Sequence, residues 1–374
     1  MGDAWTKKTF SCDNMKQIYY ALKNKSIKEG ILRTWKNLSQ SVENNLKLYP
    51  FLTDYATDVK RAKIEVSSNY DKWIAKAMES LDCDVYFAKR AKEARKIVGE
   101  IVGSGKIVVK AKSMVSEEIH LREYLHDLKN EVWETDLGEL IIQLANDKPM
   151  HMVVPALHYS ENQAAEVLRK IGVEGSSAEE LAKGVREFMR QKFLSAHVGI
   201  SGCNAFSVET GRIFLIENEG NIRLSINLPD IYIAIVSIDK LLPNDEYCIK
   251  SIMVQSAFFG TFPPAYINVK KRVDKQEMHV VFLDNGRSDA ANFLKEQLSC
   301  VRCGRCQLEC PVFHIMGNLW GAVYGGPMGM GWTAIIDGSG IECFLSCLCG
   351  KCKEVCPMDI DMPKIIRELR KHSK

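Results

Sequence analysis

The feature that most constrains this chain is a crowding of cysteines towards its C-terminal end. The 374-residue sequence contains 13 cysteines, and nine of them lie between Cys300 and Cys356. The first residues, MGDAWTKKTF, lack the apolar segment of a secretory signal, so structural disulfides are the poorer interpretation. Clustered thiols in a reducing compartment indicate metal ligation.

The first cysteine motif has the spacing C-x2-C-x2-C-x3-C-P. Its cysteines are Cys300, Cys303, Cys306 and Cys310, followed by Pro311. This spacing is typical of two-cluster ferredoxins, in which three thiolates of one loop bind one 4Fe-4S cluster and the fourth binds the other cluster. The following proline turns the chain away and removes a backbone donor.

The second motif is similar but incomplete. It contains Cys349, Cys352 and Cys356 before Pro357, and Ser346 stands where the leading cysteine is expected. We therefore predict one cluster on Cys300, Cys303, Cys306 and Cys356, and a second on Cys310, Cys349, Cys352 and Cys347. Cys343 is the alternative to Cys347, and a three-iron cluster, a serine ligand or an exogenous ligand also stays open.

The competing interpretation of these motifs is a pair of zinc sites, because Cys-x2-Cys pairs also form zinc ribbons and knuckles. Zinc sites combine two separated pairs into one tetrahedron, whereas here each loop ends in Cys-Pro and the first offers four cysteines. The spacing therefore favours iron-sulfur clusters and predicts a protein that transfers electrons.

The rest of the chain divides into two further regions. Residues 1–80 show apolar side chains at helical spacing, and residues 81–288 alternate short apolar runs with amphipathic helices, the pattern of an α/β sheet domain. Residues 289–374 form the predicted α-helical two-cluster module. With 50 basic and 47 acidic residues and no long single-sign block, the composition excludes a nucleic-acid-binding class.

Individual elements can also be predicted. One helix is expected over Ala164–Ile171, and another from Ala290 leads into Cys300. The Gly317–Gly331 segment is rich in glycine, but its aromatic residues indicate packing. The predicted strands are Ile107–Val109, His151–Pro155, Ile213–Ile216, Ile231–Ile238 and Met278–Leu283.

Polar residues interrupt the apolar pattern of the sheet domain, and several of them follow predicted strands. Ligands of α/β sheets bind at the carboxyl ends of strands, so these residues are candidates for a substrate pocket. A turn or a helix cap explains each of them equally well when it is taken singly. The candidates are Lys112, Glu134, Thr135, Asp136, His158, Glu209, Thr210, Asn218 and Glu219.

Together, the segments that contain these residues resemble those of a known family. The matching segments, followed by the cysteine motifs, are Lys112–Met114, Glu134–Glu139, Val154–Ala156 with His158, Glu209–Gly211, Asn218–Asn221 and Asp284–Ser288. In this order they are similar to the iron-sulfur subunit of the bacterial lactate-utilisation system. The resemblance implies a LUD domain, with an isomerase/CoA-transferase-like sheet, fused to a two-cluster ferredoxin module.

The resemblance also implies a function and partners. Family members act with a cysteine-rich CCG-type subunit and a stand-alone LUD protein in oxidising L-lactate to pyruvate without NAD. Two positions depart from the family: Tyr232 replaces a histidine and Met150 replaces a serine. Another 2-hydroxy acid, a non-catalytic electron-transfer and assembly role beside a flavoprotein or heterodisulfide-reductase-like partner, and oxygen sensing therefore stay open.

The sequence shows no Gly-x-Gly-x2-Gly dinucleotide fingerprint, so a flavin that splits electron pairs is expected in a partner. The longest apolar run, Ile231–Ile238, is too short to span a bilayer. The expected location is cytoplasmic, either free or held at the membrane periphery through partners.

Overall fold

The computed structural model describes residues 12–290, 292–321, 323–338 and 341–372. Strands alternate with helices in the centre of the chain, and helices occupy both ends. The strands are β1 (Asp84–Ala88), β2 (Ile107–Lys110), β3 (Glu131–Glu134), β4 (Val198–Ser201), β5 (Ala205–Ser207), β6 (Ile213–Glu217), β7 (Ile231–Ser237), β8 (Leu241–Leu242), β9 (Tyr266–Lys270) and β10 (Glu277–Leu283).

The helices surround these strands or precede and follow them. The α-helices are α1 (Cys12–Lys23), α2 (Lys25–Leu48), α3 (Phe51–Ser68), α4 (Tyr70–Glu79), α5 (Ala91–Val102), α6 (Met114–Glu118), α7 (Leu121–Asp127), α8 (Leu137–Ala145), α9 (Glu161–Leu168), α10 (Ala178–Ser195), α11 (Asn221–Asn227), α12 (Asp245–Phe259), α13 (Arg305–Leu308), α14 (Phe313–Met316), α15 (Gly326–Asp337), α16 (Lys351–Glu354) and α17 (Met362–His372). Short 3-10 helices occupy Arg169–Ile171, Ile238–Lys240, Asn292–Ser299, Gly317–Leu319 and Ile341–Leu345.

Six strands form an all-parallel sheet in the order β1-β10-β7-β4-β2-β3. The central strand β7 is apolar at nearly every position, which is typical of a parallel strand covered on both faces. Ile233 and Ile235 pack into the core formed with α5 and α7. Tyr232 and Val236 face the opposite core, which continues into the cysteine segment. One face of the sheet therefore supports the cysteine module. The register pairs Ile231 with Glu277 of β10 and Val198 of β4.

A smaller mixed sheet has the order β8-β5-β6-β9. Its β5–β6 hairpin turns at Gly211, which has a φ of 67° and donates its amide to the Ser207 carbonyl at 2.9 Å. A positive φ of this kind favours glycine. Helix α12 covers this sheet through Cys248 and Ile252.

The N-terminal helices confirm the helical pattern over the described residues from 12 to 79; residues 1–11 of that prediction lie outside the described part. Asn24 caps α2 by accepting a hydrogen bond from the Ile27 amide at 3.3 Å. A Cβ at Gly30 would lie 2.2 Å from the Leu157 carbonyl oxygen, so glycine lets α2 approach the loop before α9. The same helix reaches the cysteine segment, where Ser39 donates to Glu309 at 3.0 Å.

The glycine-rich segment is packed, as its aromatic residues indicate. Trp320 and Trp332 are fully buried, and the second half of the segment forms α15. A Cβ at Gly329 would lie 2.0 Å from the Tyr324 carbonyl oxygen, so this glycine allows a close turn against the helix.

One predicted element is wrong in kind. Residues 151–155 form bends and turns instead of a strand, because the His151 ring captures backbone amides: its Nδ1 accepts from Val153 at 3.0 Å and Val154 at 3.2 Å. The helix predicted before Cys300 is present as a 3-10 helix, Asn292–Ser299. The strands predicted from Ile107, Ile213, Ile231 and Met278 are confirmed with ends shifted by one residue at most.

A buried ionic network joins the sheet domain to the cysteine segment. Arg287, which follows β10, donates to Glu118 of α6 at 2.9 and 2.8 Å, and its Nε donates to Asp239 beyond β7. Asp239 also accepts from Arg302 of the first cysteine motif at 2.9 Å. Burial alone would raise the pKa of Asp239, but the two guanidinium groups hold it far below its usual value. The network therefore stays charged.

Replacing Arg287 by methionine tests this network. The variant leaves the carboxylates of Glu118 and Asp239 buried without their shared guanidinium, so the free energy of unfolding should fall by ~3–5 kcal/mol. Urea denaturation of the anaerobic protein, followed by tryptophan fluorescence, measures the loss. The exposed Arg190→Met is the matched control and should change stability by ~0.5 kcal/mol or less. Equal losses in the two variants would contradict the role of the network.

Candidate metal centres and the adjoining cavity

The two cysteine loops have the same backbone course. Arg302 and Leu348 adopt positive φ values of 60° and 55°, and Gly304 and Gly350 follow with 79° and 88°. Each glycine precedes a one-turn helix, α13 or α16. The two motifs therefore repeat in backbone conformation as well as in sequence. Their cysteine side chains form two groups of thiols.

The first thiol group is buried. Cys300, Cys303 and Cys306 are each at most 8% exposed. Burial raises the pKa of Cys306 well above its usual value, and the nearby thiolates of Cys300, Cys303 and Cys356 raise it further. Cys352 acts on Cys306 in the same direction, so Cys356 and Cys352 of the second motif both lie near the first loop.

The second thiol group lies nearer to solvent. Burial raises the pKa of Cys310 to about 11, and the neighbouring thiolates of Cys347 and Cys349 act in the same direction. Cys352 is influenced similarly by Cys310 and Cys349. Cys347 and Cys349 are exposed whereas Cys310 and Cys352 are buried, so this group reaches the surface on one side.

The neighbouring positions Ser346 and Cys343 differ from Cys347. Ser346 occupies the place that Cys300 has in the first loop: its Oγ accepts from the Leu348 amide at 3.2 Å, as Cys300 Sγ accepts from the Arg302 amide at 3.3 Å. Cys343 is fully buried in the apolar core. Its carbonyl accepts from Arg370 Nη2 at 3.0 Å, which fixes the backbone there.

The donor set fits two iron-sulfur clusters. Thiols of both motifs lie near one another, which suits the crossed arrangement of two-cluster ferredoxins. Single zinc ribbons need one tetrahedron of two pairs and no such crossing. The chemistry of the donors therefore agrees with the prediction made from spacing.

A cavity of about 600 Å³ lies beside the first thiol group. It is bounded by the segments that follow β2, β3, β4 and β7, which places it at the carboxyl ends of the parallel strands. Helices α2 and α12 contribute further wall residues, and Cys303 itself lines the cavity. The cavity therefore reaches from the sheet to the first cysteine loop.

Four of the predicted pocket residues line this cavity. Lys112 donates to Asp136 at 3.0 Å and to the Val153 carbonyl at 2.7 Å, and Asp136 also caps α8. Asn218 accepts from the Ala265 amide at 3.1 Å. Glu219 accepts from the Leu137 amide at 3.3 Å, and burial raises its pKa.

Two further candidates lie behind the wall. Glu134 is fully buried and pairs with Lys110 at 3.0 Å. Burial raises its pKa to about 7 despite that ammonium group. Thr135 accepts from Ser225 at 3.2 Å. Both side chains are held in contacts within the sheet domain.

The other three candidates lie elsewhere. His158 contacts Asp147 at 3.1 Å and does not itself line the cavity, although its neighbours Leu157 and Tyr159 do. Glu209 and Thr210 form the β5–β6 turn, and Thr210 donates to Asp245 at 2.6 Å. For these two residues the turn explains the sequence pattern.

Sequence reasoning missed a second polar group in the wall. Lys240, Ser256 and Arg302 line the cavity on the side of Cys303, and we call them the cluster-side group. Lys240 lies two residues after the predicted strand Ile231–Ile238, so the rule that polar residues after strands form pockets could have found it. Ser256 and Arg302 carry no such signal, because a helix and a cysteine loop bring them there.

Among the described residues, no helix combines the length and apolar character needed to cross a membrane.

Comparison with known proteins supports this organisation. A sequence profile of the LUD domain matches residues 72–286, and a profile of the 4Fe-4S dicluster domain matches residues 296–360. Two proteins named Lactate utilization protein B, from Bacillus thuringiensis (strain Al Hakam) and Bacillus anthracis (strain CDC 684 / NRRL 3495), are each 36% identical over 303 residues. These alignments cover 76% of this chain and 64% of each relative, so the chain spans less than two thirds of their length.

A crystal structure of a duf162 family protein from Deinococcus radiodurans is 12% identical and covers 60% of this chain and 98% of its own, with a TM-score of 0.30. So low a score says nothing further about the fold. The profile match over residues 72–286, more than half of the sequence, places the family: this chain belongs to the LUD domain family and carries a C-terminal 4Fe-4S dicluster domain.

Proposed function

We propose that this chain is the iron-sulfur redox subunit of a multi-protein complex that oxidises L-lactate, or another 2-hydroxy acid, and relays the electrons through two 4Fe-4S clusters. The observation that carries the proposal is the contact between the cavity and the first thiol group at Cys303. The similarity to proteins named Lactate utilization protein B supports the choice of substrate class. The proposed partners are a cysteine-rich CCG-type subunit and a stand-alone LUD protein.

In this proposal the first cluster is bound by Cys300, Cys303, Cys306 and Cys356, and the second by Cys310, Cys347, Cys349 and Cys352. The proximity of Cys347 to Cys310 supports its choice as the fourth ligand. Cys343 and Ser346 remain the alternatives.

The burial of the two groups supports a direction for the electrons. The first group lies in the core beside the cavity, whereas Cys347 and Cys349 are exposed. Electron transfer over such a pair of clusters needs the donor near one and the acceptor near the other. Electrons would enter from the cavity side and leave to a partner protein docked at Cys347 and Cys349.

A non-catalytic electron-transfer and assembly subunit is the second candidate. The pairing of Lys112 with Asp136 and of Lys110 with Glu134 favours it, because these groups are already engaged within the chain. In that case the substrate reacts on a partner and the clusters only transmit electrons.

Turnover of the complete complex tests the redox role. Purified anaerobically with its genomic neighbours, the wild type should reduce a dye in the presence of lactate, and Cys303→Ser should lower the rate by at least about tenfold because the first cluster loses a ligand. Cys83→Ser, at a scattered cysteine outside both groups, is the matched control and should retain the rate. No turnover of any 2-hydroxy acid by the complete complex would refute the redox-subunit proposal in favour of the second candidate.

The fourth ligand of the second cluster is tested by three single variants. Cys347→Ala should lower the iron content, because the second cluster either becomes a three-iron cluster or is lost. Cys343→Ser and Ser346→Ala should keep the wild-type iron content. Iron analysis together with EPR of the reduced protein measures the change. Loss of iron in Cys343→Ser or Ser346→Ala, with wild-type content in Cys347→Ala, would reassign the ligand.

A further inference from the structure

The cluster-side group of the cavity includes hydrogen-bond donor atoms that have no acceptor, although Arg302 Nη2 donates to Asp239 at 2.9 Å. Lys240 is 6% exposed, and within the described residues its ammonium group meets only charges at longer range, without a hydrogen bond. Ser256 Oγ and Arg302 Nε are buried and likewise lack partners in the described part of the chain. Buried donors without acceptors cost free energy, so their convergence on one cavity indicates a ligand that supplies oxygen acceptors.

The remainder of the wall indicates the body of that ligand. Ile141, Met152, Leu215 and Phe259 line the same cavity. A cavity of about 600 Å³ falls within the range of ~300–1,000 Å³ that holds ligands of cofactor size, far larger than a three-carbon acid. The ligand is therefore a molecule of cofactor size with both apolar and polar parts, since Lys112, Asp136 and Glu219 also line the cavity.

The position beside Cys303 indicates its chemistry. A 4Fe-4S cluster exchanges single electrons, whereas oxidation of a substrate carbon releases two. A conjugated carrier that accepts two electrons and gives them up singly connects the two processes. Its carbonyl oxygen gains negative charge on reduction, which a hydrogen bond donated by Lys240 Nζ would stabilise.

We infer that this cavity binds a conjugated two-electron carrier of the flavin or quinone type, with a ring carbonyl against Lys240 and Ser256, and that the carrier exchanges electrons with the first cluster through Cys303. The inference rests on the proposed electron-transfer function and adds a ligand to it.

Oxidation of the reduced carrier by the two clusters balances in electrons and in protons. Oxidation of the two-electron-reduced ring breaks two N–H or O–H bonds and releases two electrons and two protons. Each cluster takes one electron, because the first cluster passes one to the second before it accepts the next. The protons leave to water or to the carboxylate of Glu219, which lines the same cavity.

Binding of two probes to the full-length, iron-loaded chain tests the inference. Flavin mononucleotide and the naphthoquinone menadione represent the two types of carrier. Quenching of flavin fluorescence or of the protein's tryptophan fluorescence reports binding. At least one probe should bind at micromolar concentration. Its reduced form, added anaerobically, should bleach the iron-sulfur absorbance and produce the EPR signal of reduced clusters.

Variants locate the site. Lys240→Met should weaken binding by at least about tenfold, Lys240→Arg should keep most of it, and Ser256→Ala should weaken it several-fold with unchanged iron content. Lys271→Met is the matched control, since Lys271 is exposed outside the cavity. If neither probe binds, or if Lys240→Met and Ser256→Ala bind as wild type does, the inference is overturned.

A failure of the carrier site can be distinguished from a failure of the proposed function. Probe binding with the expected variant effects, beside a complete complex that oxidises no 2-hydroxy acid, would support the carrier site and refute the substrate proposal. Lactate turnover by a complex whose isolated chain binds neither probe would overturn the carrier site alone.

Discussion

The arrangement depends on one buried carboxylate. Asp239 follows the central strand β7 and accepts hydrogen bonds from Arg287 and Arg302, which belong to the sheet domain and to the first cysteine loop. Removing any member of such a group leaves a buried charge without its partner. Trp332 of the glycine-rich segment covers the assembly, with its ring 4.3 Å from the Arg302 guanidinium. The ionic group thereby fixes where the first cysteine loop sits against the sheet.

The position of the first cysteine loop against the sheet connects the fold with the proposed electron transfer. Arg302 directly precedes Cys303 in the chain. The hydrogen bond from Arg302 to Asp239 therefore also holds Cys303 in the wall of the cavity. Lys240, next to Asp239 in the chain, lies in the same wall. The carboxyl end of β7 thus supplies both the anchor of the module and a polar side chain in the cavity wall. In this chain the sheet and the first cysteine loop are therefore joined by buried ion pairs.

The sequence predicts what is encoded locally. The cysteine spacing specifies two loops, and the apolar run beginning at Ile231 specifies the central strand. The failures occur where side chains override a local pattern: His151 binds the amides of Val153 and Val154, so the apolar run there cannot join a ladder. The cluster-side group was beyond prediction for a different reason, since Ser256 and Arg302 meet Lys240 only through packing between distant segments. Conversely, Glu209 and Thr210 matched the expected pattern but lie in a turn.

The central claim is that the two thiol groups hold iron-sulfur clusters that carry electrons. The most direct measurement is the iron, acid-labile sulfide and zinc content of the anaerobically purified chain, combined with EPR of the dithionite-reduced protein. The account predicts about eight iron and about eight sulfide per chain and the spectrum of two interacting reduced 4Fe-4S clusters. Stoichiometric zinc without iron or sulfide would contradict it.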